Sequence, residues 1–135
     1  MKCIVVTPEE TILEVETNFV ALPLYDGEMG IGENHTPLVG RLGYGELRFT
    51  SNGEAASYYV EGGVVEVLDN TVSLLTNMAV PSSKIDIEKA KTELETALKK
   101  VTRNEDQLKL KSQNVAAARA QVHLAEKAAG SSAKH

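Results

Sequence analysis

Apolar residues follow two different rhythms along this chain. Up to about residue 80 they alternate with polar ones at a period of two, and beyond it they recur every three or four positions. Met1 to Thr7 is an apolar run closed by Pro8-Glu9-Glu10, and Thr11 to Thr17 sets Leu13 and Val15 against Ile12, Glu14 and Glu16. Phe19 to Leu22 and Leu38 to Leu42 read as short strands. Glu46 to Thr50 alternates cleanly and predicts Leu47 and Phe49 inside with the charges outside. Asn52-Gly53 supplies the two positive-φ positions of a tight hairpin turn, Asp69-Asn70 repeats the signal between Val64–Leu68 and Thr71–Thr76, and Gly62-Gly63 marks a bend or close backbone approach. Leu22 to Leu38 holds a Pro near each end and three Gly, and reads as a shaped surface loop. Many short strands at close spacing predict a sandwich or barrel, not a βαβ fold.

Near Pro81-Ser82-Ser83 the composition shifts from Gly and β-branched residues to Ala, Lys and Glu. Ile87, Ala90, Leu94, Ala97 and Val101 form one helical stripe; Leu108, Val115, Ala118, Val122 and Ala125 form a second. Between them Thr102 to Asp106 breaks the pattern, and Asn104 with Gln107 three residues on predicts a capping box. Gly130-Ser131-Ser132 ends the second stripe, with a frayed tail. The expected fold is α+β: an antiparallel β-sandwich over residues 1–83 followed by an antiparallel two-helix hairpin over residues 84–135. The hairpin's inner faces are rich in Ala and poor in Leu, so they bury little apolar area. Two readings follow, a hairpin that docks on the sandwich but can leave it, and one docked permanently.

Composition narrows the function. With aromatics at 4%, no Trp and a net charge of -5, a surface for stacking or clasping nucleic acid is not expected. Cys3, the single cysteine, sits in an apolar run and reads as a buried small hydrophobe in a chain without internal disulfides. No apolar run approaches the ~20 residues of a membrane helix, and no signal or transit peptide is visible ahead of the first strand. Charge is segregated: residues 1–83 carry 3 basic against 12 acidic side chains, and residues 84–135 carry 11 basic against 7 acidic. The basic surplus of the second part reads either as a solvated face or as an element that meets acidic partner surfaces. Little enzyme chemistry is present. His123 reads as a helix-flank residue, no Gly-rich phosphate loop or nucleophile elbow occurs, and only His35 lies in the loop region. His35 with Asp26, Glu28 or Glu33 falls short of a convincing zinc set, and Asn34-His35-Thr36-Pro37 can equally serve loop architecture.

The loop region holds Leu22-Pro23, Asp26-Gly27-Glu28-Met29-Gly30-Ile31 and Asn34-His35-Thr36-Pro37-Leu38 in that order. In these residues it resembles the epsilon subunit of F-type ATP synthase. The likeness continues through Leu42, Gly45, Leu47-Arg48, Gly62-Gly63, Glu66-Val67 and Asn70-Thr71-Val72 to Leu75. It covers nearly all of the first part; the helical part matches in length and pattern. The resemblance implies a non-catalytic central-stalk subunit that binds the gamma subunit and the c-subunit ring and couples proton or sodium flow to ATP synthesis. It implies contacts to gamma and the ring at Glu28, Met29, Gly30, Ile31 and His35. It also implies a hairpin that rises along gamma, meets the alpha and beta subunits of the catalytic head and slows ATP hydrolysis. Charge and position name Lys99, Lys100, Arg103, Lys109, Lys111 and Arg119 for that contact. Some members bind ATP through Ile-Asp-x-x-Arg-Ala. Here the stretch is Ile85-Asp86-Ile87-Glu88-Lys89-Ala90, and Lys89 lacks the planar fork of Arg, so no cofactor is expected. The implied location is peripheral, on the cytoplasmic face of a bacterial inner membrane or the stromal face of a plastid thylakoid.

Two other classes fit the residues read alone. One is a free-standing β-sandwich binding module with a helical dimerisation hairpin. The other is a small metalloenzyme built on His35.

Overall fold

The computed structural model describes residues 1–133. The chain divides into two compact units, Met1–Pro81 and Ser82–His135. The first unit is two five-stranded sheets, and the second is helical.

The first sheet comprises β1 (Lys2–Val6), β2 (Thr11–Glu16), β5 (Leu38–Arg41), β8 (Val64–Leu68) and β9 (Thr71–Leu75), in the order β2-β1-β9-β8-β5. The second comprises β3 (Phe19–Leu24), β4 (Gly27–Gly32), β6 (Tyr44–Ser51), β7 (Glu54–Glu61) and β10 (Ala79–Pro81), in the order β10-β7-β6-β3-β4. The inward residues make one apolar core, with Cys3, Val5, Val65, Val67, Val72 and Leu74 from one sheet. Val20, Leu22, Ile31, Leu47, Phe49 and Val60 come from the other. This is the packing of a sandwich, with alternate residues of each strand turned in. Leu47 and Phe49 are buried as their alternation predicts. The strands pair antiparallel except β1 and β9, which run parallel. The antiparallel sandwich expected from the sequence thus includes one parallel pair, which joins the first strand to the next-to-last; no tight turn has to connect them.

The turns obey their residues. Asn52 and Gly53 take φ of 53° and 78° between β6 and β7, and Asp69 and Asn70 take 51° and 58° between β8 and β9. Gly62 and Gly63 are both left-handed, at 65° and 102°.

The Gly-rich stretch is mostly not a loop. Phe19–Leu24 and Gly27–Gly32 pair along their full length as a hairpin turning at Tyr25-Asp26. Met29 and Ile31 alternate inward while Glu28 and Gly30 face out. Pro23 is tolerated because its carbonyl accepts from Gly43 N–H beyond the β3–β6 ladder, which pairs Val20 with Phe49 and Ala21 with Arg48. The missing N–H would point the same way, where no ladder bond is lost. Phe19 lays its ring over Gly30, filling the space a side chain would have occupied.

In the second unit a 3₁₀ turn, Ser82–Lys84, leads to α1 (Ile87–Lys99) and α2 (Glu105–Ala133). Asp86 caps α1 by accepting from Lys89 N–H at 3.1 Å. Asn104 caps α2 by accepting from Gln107 N–H at 2.8 Å. The reciprocal bond of the predicted capping box falls one residue early, from Arg103 N–H to Gln107 Oε1 at 2.8 Å. The helices pack on each other. Lys91, early in α1, lies 4.0 Å from Glu126, late in α2, so the pair is antiparallel.

Three helical expectations change. Val101 is 79% exposed because α1 stops at Lys99 and Lys100 is already extended, so Val101 belongs to no helical face. Leu108 is exposed in the first turns of α2. Gly130 does not end α2, which runs on to Ala133; a lone Gly costs a helix only ~1 kcal/mol. The frayed tail expected at Lys134 and His135 lies outside the described residues.

Candidate functional site

The β3–β4 hairpin puts β4 at the edge of its sheet. On its outward face Glu28 is exposed and Met29 is half-buried from the inner face. Glu28 is paired: Arg48 of β6 reaches it with Nη2 at 2.8 Å from Oε1 and Nη1 at 3.2 Å from Oε2. That partner, chiefly through its hydrogen bonds, holds the Arg48 guanidinium above its ordinary pKa. Gly30 lies beneath the Phe19 ring. Ile31 is fully buried in the core, so its side chain cannot serve as a surface contact; the outward turn of Glu28 forces Ile31 inward at a period of two. His35 stands after β4, half-buried, with Nδ1 2.7 Å from the Thr36 carbonyl, so Nδ1 carries the proton. Beside it Asn34 takes φ of 58° and gives its N–H to Asn70 Oδ1 at 2.8 Å. His35 is thus bound into its own loop. Among the described residues no three His, Cys, Asp or Glu side chains come together as a metal-binding group.

A second surface was not expected from the sequence. On the outward face of the first sheet, register sets Val64 beside Leu75 and Leu75 beside Val6. Val64 is 45% exposed and Leu75 52%, and Val39 on β5 is 75% exposed. Ile4 and Val6 are half-buried on the same face. An apolar row therefore crosses three neighbouring strands, where a solvated sheet face carries polar residues. The signal lay in adjacent apolar pairs, Val64-Val65 and Leu74-Leu75, which break the alternation by making both faces apolar.

On the helical hairpin, Lys100, Arg103 and Lys111 line one open groove with Val101, Gln107 and Leu110. Lys99 ends α1 and Lys109 sits two residues before Lys111, both exposed. Arg119 is exposed eight residues farther on, which is ~12 Å along the helix axis, apart from the rest. Leu98, Leu108 and Leu110 are exposed among these cations, so this end of the hairpin is apolar as well as basic.

Residues 1–82 match the family described as ATP synthase, Delta/Epsilon chain, beta-sandwich domain. The chain belongs to the ATP synthase epsilon-chain family. It is 40% identical over 122 residues to the ATP synthase epsilon chain of Rhodopirellula baltica, covering 90% of this chain and 95% of that one. The ATP synthase epsilon chain of Desulfitobacterium hafniense strain Y51 is 42% identical over 75% of this chain and 76% of its own length. Among solved structures, a chain of the Euglena gracilis mitochondrial ATP synthase OSCP/F1/c-ring assembly superposes with a TM-score of 0.76. It is 27% identical, and the match covers 94% of this chain and 79% of that one. A chain of the Tetrahymena thermophila mitochondrial ATP synthase central stalk/c-ring superposes with a TM-score of 0.74 over 93% of this chain and 96% of that one. At 13% identity that likeness is one of fold alone. The epsilon family expected from the Gly-rich stretch is thus established, along with the sandwich-then-hairpin fold. No described helix is long and apolar enough to cross a membrane.

Proposed function

We propose that this chain is the non-catalytic epsilon subunit of a rotary ATP synthase, held on the gamma subunit by the apolar face of the first sheet and turned toward the c ring by the β3–β4 hairpin. The observation that carries the reading is the apolar row of half-buried Val6 and exposed Leu75 and Val64 on a sandwich of the epsilon family. An apolar face in water is stabilised by a partner of matching shape. In a family with a solved relative in an F1/c-ring assembly, gamma is the partner that fits. The ring contact rests on Glu28 and the outward edge of β4. Coupling of ion flow to ATP synthesis then follows from turning with the rotor, and the membrane is met only through the complex.

The hairpin is the regulatory element of this reading. Lys99, Lys100, Arg103, Lys109, Lys111 and Arg119 supply the charge to engage acidic loops of the alpha and beta subunits, and the exposed leucines supply contact area. Asp86 already spends a carboxylate oxygen capping α1, and Lys89 offers a point charge in place of an Arg fork, so the hairpin works without bound ATP.

The docking reading is tested with full-length Val64→Asp and Leu75→Asp variants against isolated gamma. A buried unpaired carboxylate should cost at least ~10-fold in affinity while the melting temperature of the sandwich holds, because both positions already face water. Unchanged binding by both variants would move gamma to another face.

A further inference from the structure

We infer that Arg48 is a positioning residue that presents the Glu28 carboxylate to a hydrogen-bond donor on the c ring. The inference rests on the ring-facing reading of the β3–β4 hairpin and adds to it a residue from a different strand.

Glu28 opposes Pro23 on β3, and Arg48 opposes Ala21 on the other side of the same strand. The two therefore meet across an intervening strand, a span of ~9.5 Å between β4 and β6. Only a long side chain crosses it. Arg48 does so from the position paired with Ala21, on the same face of the sheet. The guanidinium meets both Glu28 oxygens, at 2.8 and 3.2 Å. Arg48 is itself steadied from behind: Nη1 lies 3.5 Å from Glu46 Oε1, and Ser57 Oγ donates to Glu46 Oε2 at 2.6 Å. A relay of Ser57, Glu46 and Arg48 thus runs from β7 to the edge strand.

Its consequence is chemical. Each carboxylate oxygen has two acceptor positions, and Arg48 occupies one on each. The others remain, on a side chain that is still 52% exposed. One guanidinium between two carboxylates leaves the group with an excess negative charge. An edge-strand Glu standing alone would sample several rotamers and lose them on docking; here that ordering is done beforehand. A Lys in place of Arg48 could reach but would lack the two parallel donors that fix the carboxylate plane.

The test compares full-length wild type with Glu28→Gln, Arg48→Gln, Arg48→Lys and the Glu28→Gln/Arg48→Gln double variant. Affinity is measured for two probes, isolated gamma and the gamma–c-ring rotor assembled without this chain. Glu28→Gln and Arg48→Gln are each expected to weaken rotor binding roughly three- to tenfold, with the double variant no worse than Glu28→Gln. Arg48→Lys should fall between, and binding to gamma alone should not change. If Arg48→Gln weakens both probes alike, Arg48 acts through the fold and the inference is overturned. If Glu28→Gln weakens rotor binding and Arg48→Gln does not, the inference fails while the ring-facing reading stands. If Glu28→Gln leaves rotor binding intact, both fail.

Discussion

A methyl group at position 63 has nowhere to go. Gly63 has φ of 102°, and a Cβ there would overlap the Leu75 carbonyl oxygen, which belongs to a neighbouring strand and cannot swing aside. Gly63→Ala is expected to lose on the order of 2–4 kcal/mol, read as a drop in the denaturant midpoint with unchanged slope. Cys3 makes a different residue-scale claim. Burial pushes its thiol from an ordinary 9.0 up to about 12. The native protein should therefore resist alkylation at pH 8 and label fully once unfolded. The sign for stability follows. A folded-state pKa above the unfolded value means that the native form keeps the proton longer. The contribution of this site is whole below about 9 and is lost as pH rises toward about 12. An alkaline titration of the unfolding free energy that stayed flat across that window would count against a sealed core around Cys3.

At the scale of elements, the break between the helices depends on a few hydrogen bonds. Asn104 caps α2 and Gln107 returns a bond to Arg103. Asn104→Ala should cost the hairpin about 1 kcal/mol. Amide exchange would show it as faster exchange at Gln107, with the sandwich amides unaffected. The cap was legible in the sequence because capping is local chemistry. The hairpin turns were legible for the same reason, since Asn-Gly and Asp-Asn announce positive φ by themselves. The β4 strand was not, and the reason is instructive. Gly27, Gly30 and Gly32 have weak strand preference, but Gly30 gains a partner from outside its own segment, the Phe19 ring. The inward pair Met29 and Ile31 carried the alternation all along. Likewise Val101 and Leu108 sit at helical spacing, yet neither is buried. Periodicity proposes a stripe, and where each helix starts and stops decides which of its members are covered. The Glu28–Arg48 bridge was beyond sequence reading for a related reason, since it depends on which strand lies between β4 and β6.

At the scale of the whole molecule, charge and apolar surface are divided between the two units. The sandwich residues are net acidic and expose an apolar row on one sheet; the hairpin residues are net basic and expose leucines beside their cations. If the first unit anchors and the second brakes, the two functions should separate when the chain is cut. The sandwich core draws all its members from residues before Pro81, so a chain ending at residue 83 keeps that core whole. The experiment adds the full chain, or residues 1–83, to a catalytic head that contains gamma and lacks epsilon. Both should bind. Only the full chain should slow ATP hydrolysis, and its effect should weaken between about 50 and 300 mM salt, because exposed cations act on acidic loops through a screened field. Replacing Lys100, Arg103 and Lys111, the three cations of one groove, by Gln should mimic the high-salt result at low salt. Arg119→Gln, about two turns away, should do less. If residues 1–83 slow hydrolysis as well as the full chain does, braking belongs to the sandwich and the basic hairpin has another task. If the full chain binds and slows nothing at any salt, the cations are a solvated face. The subunit would then act only as the coupling between gamma and the ring.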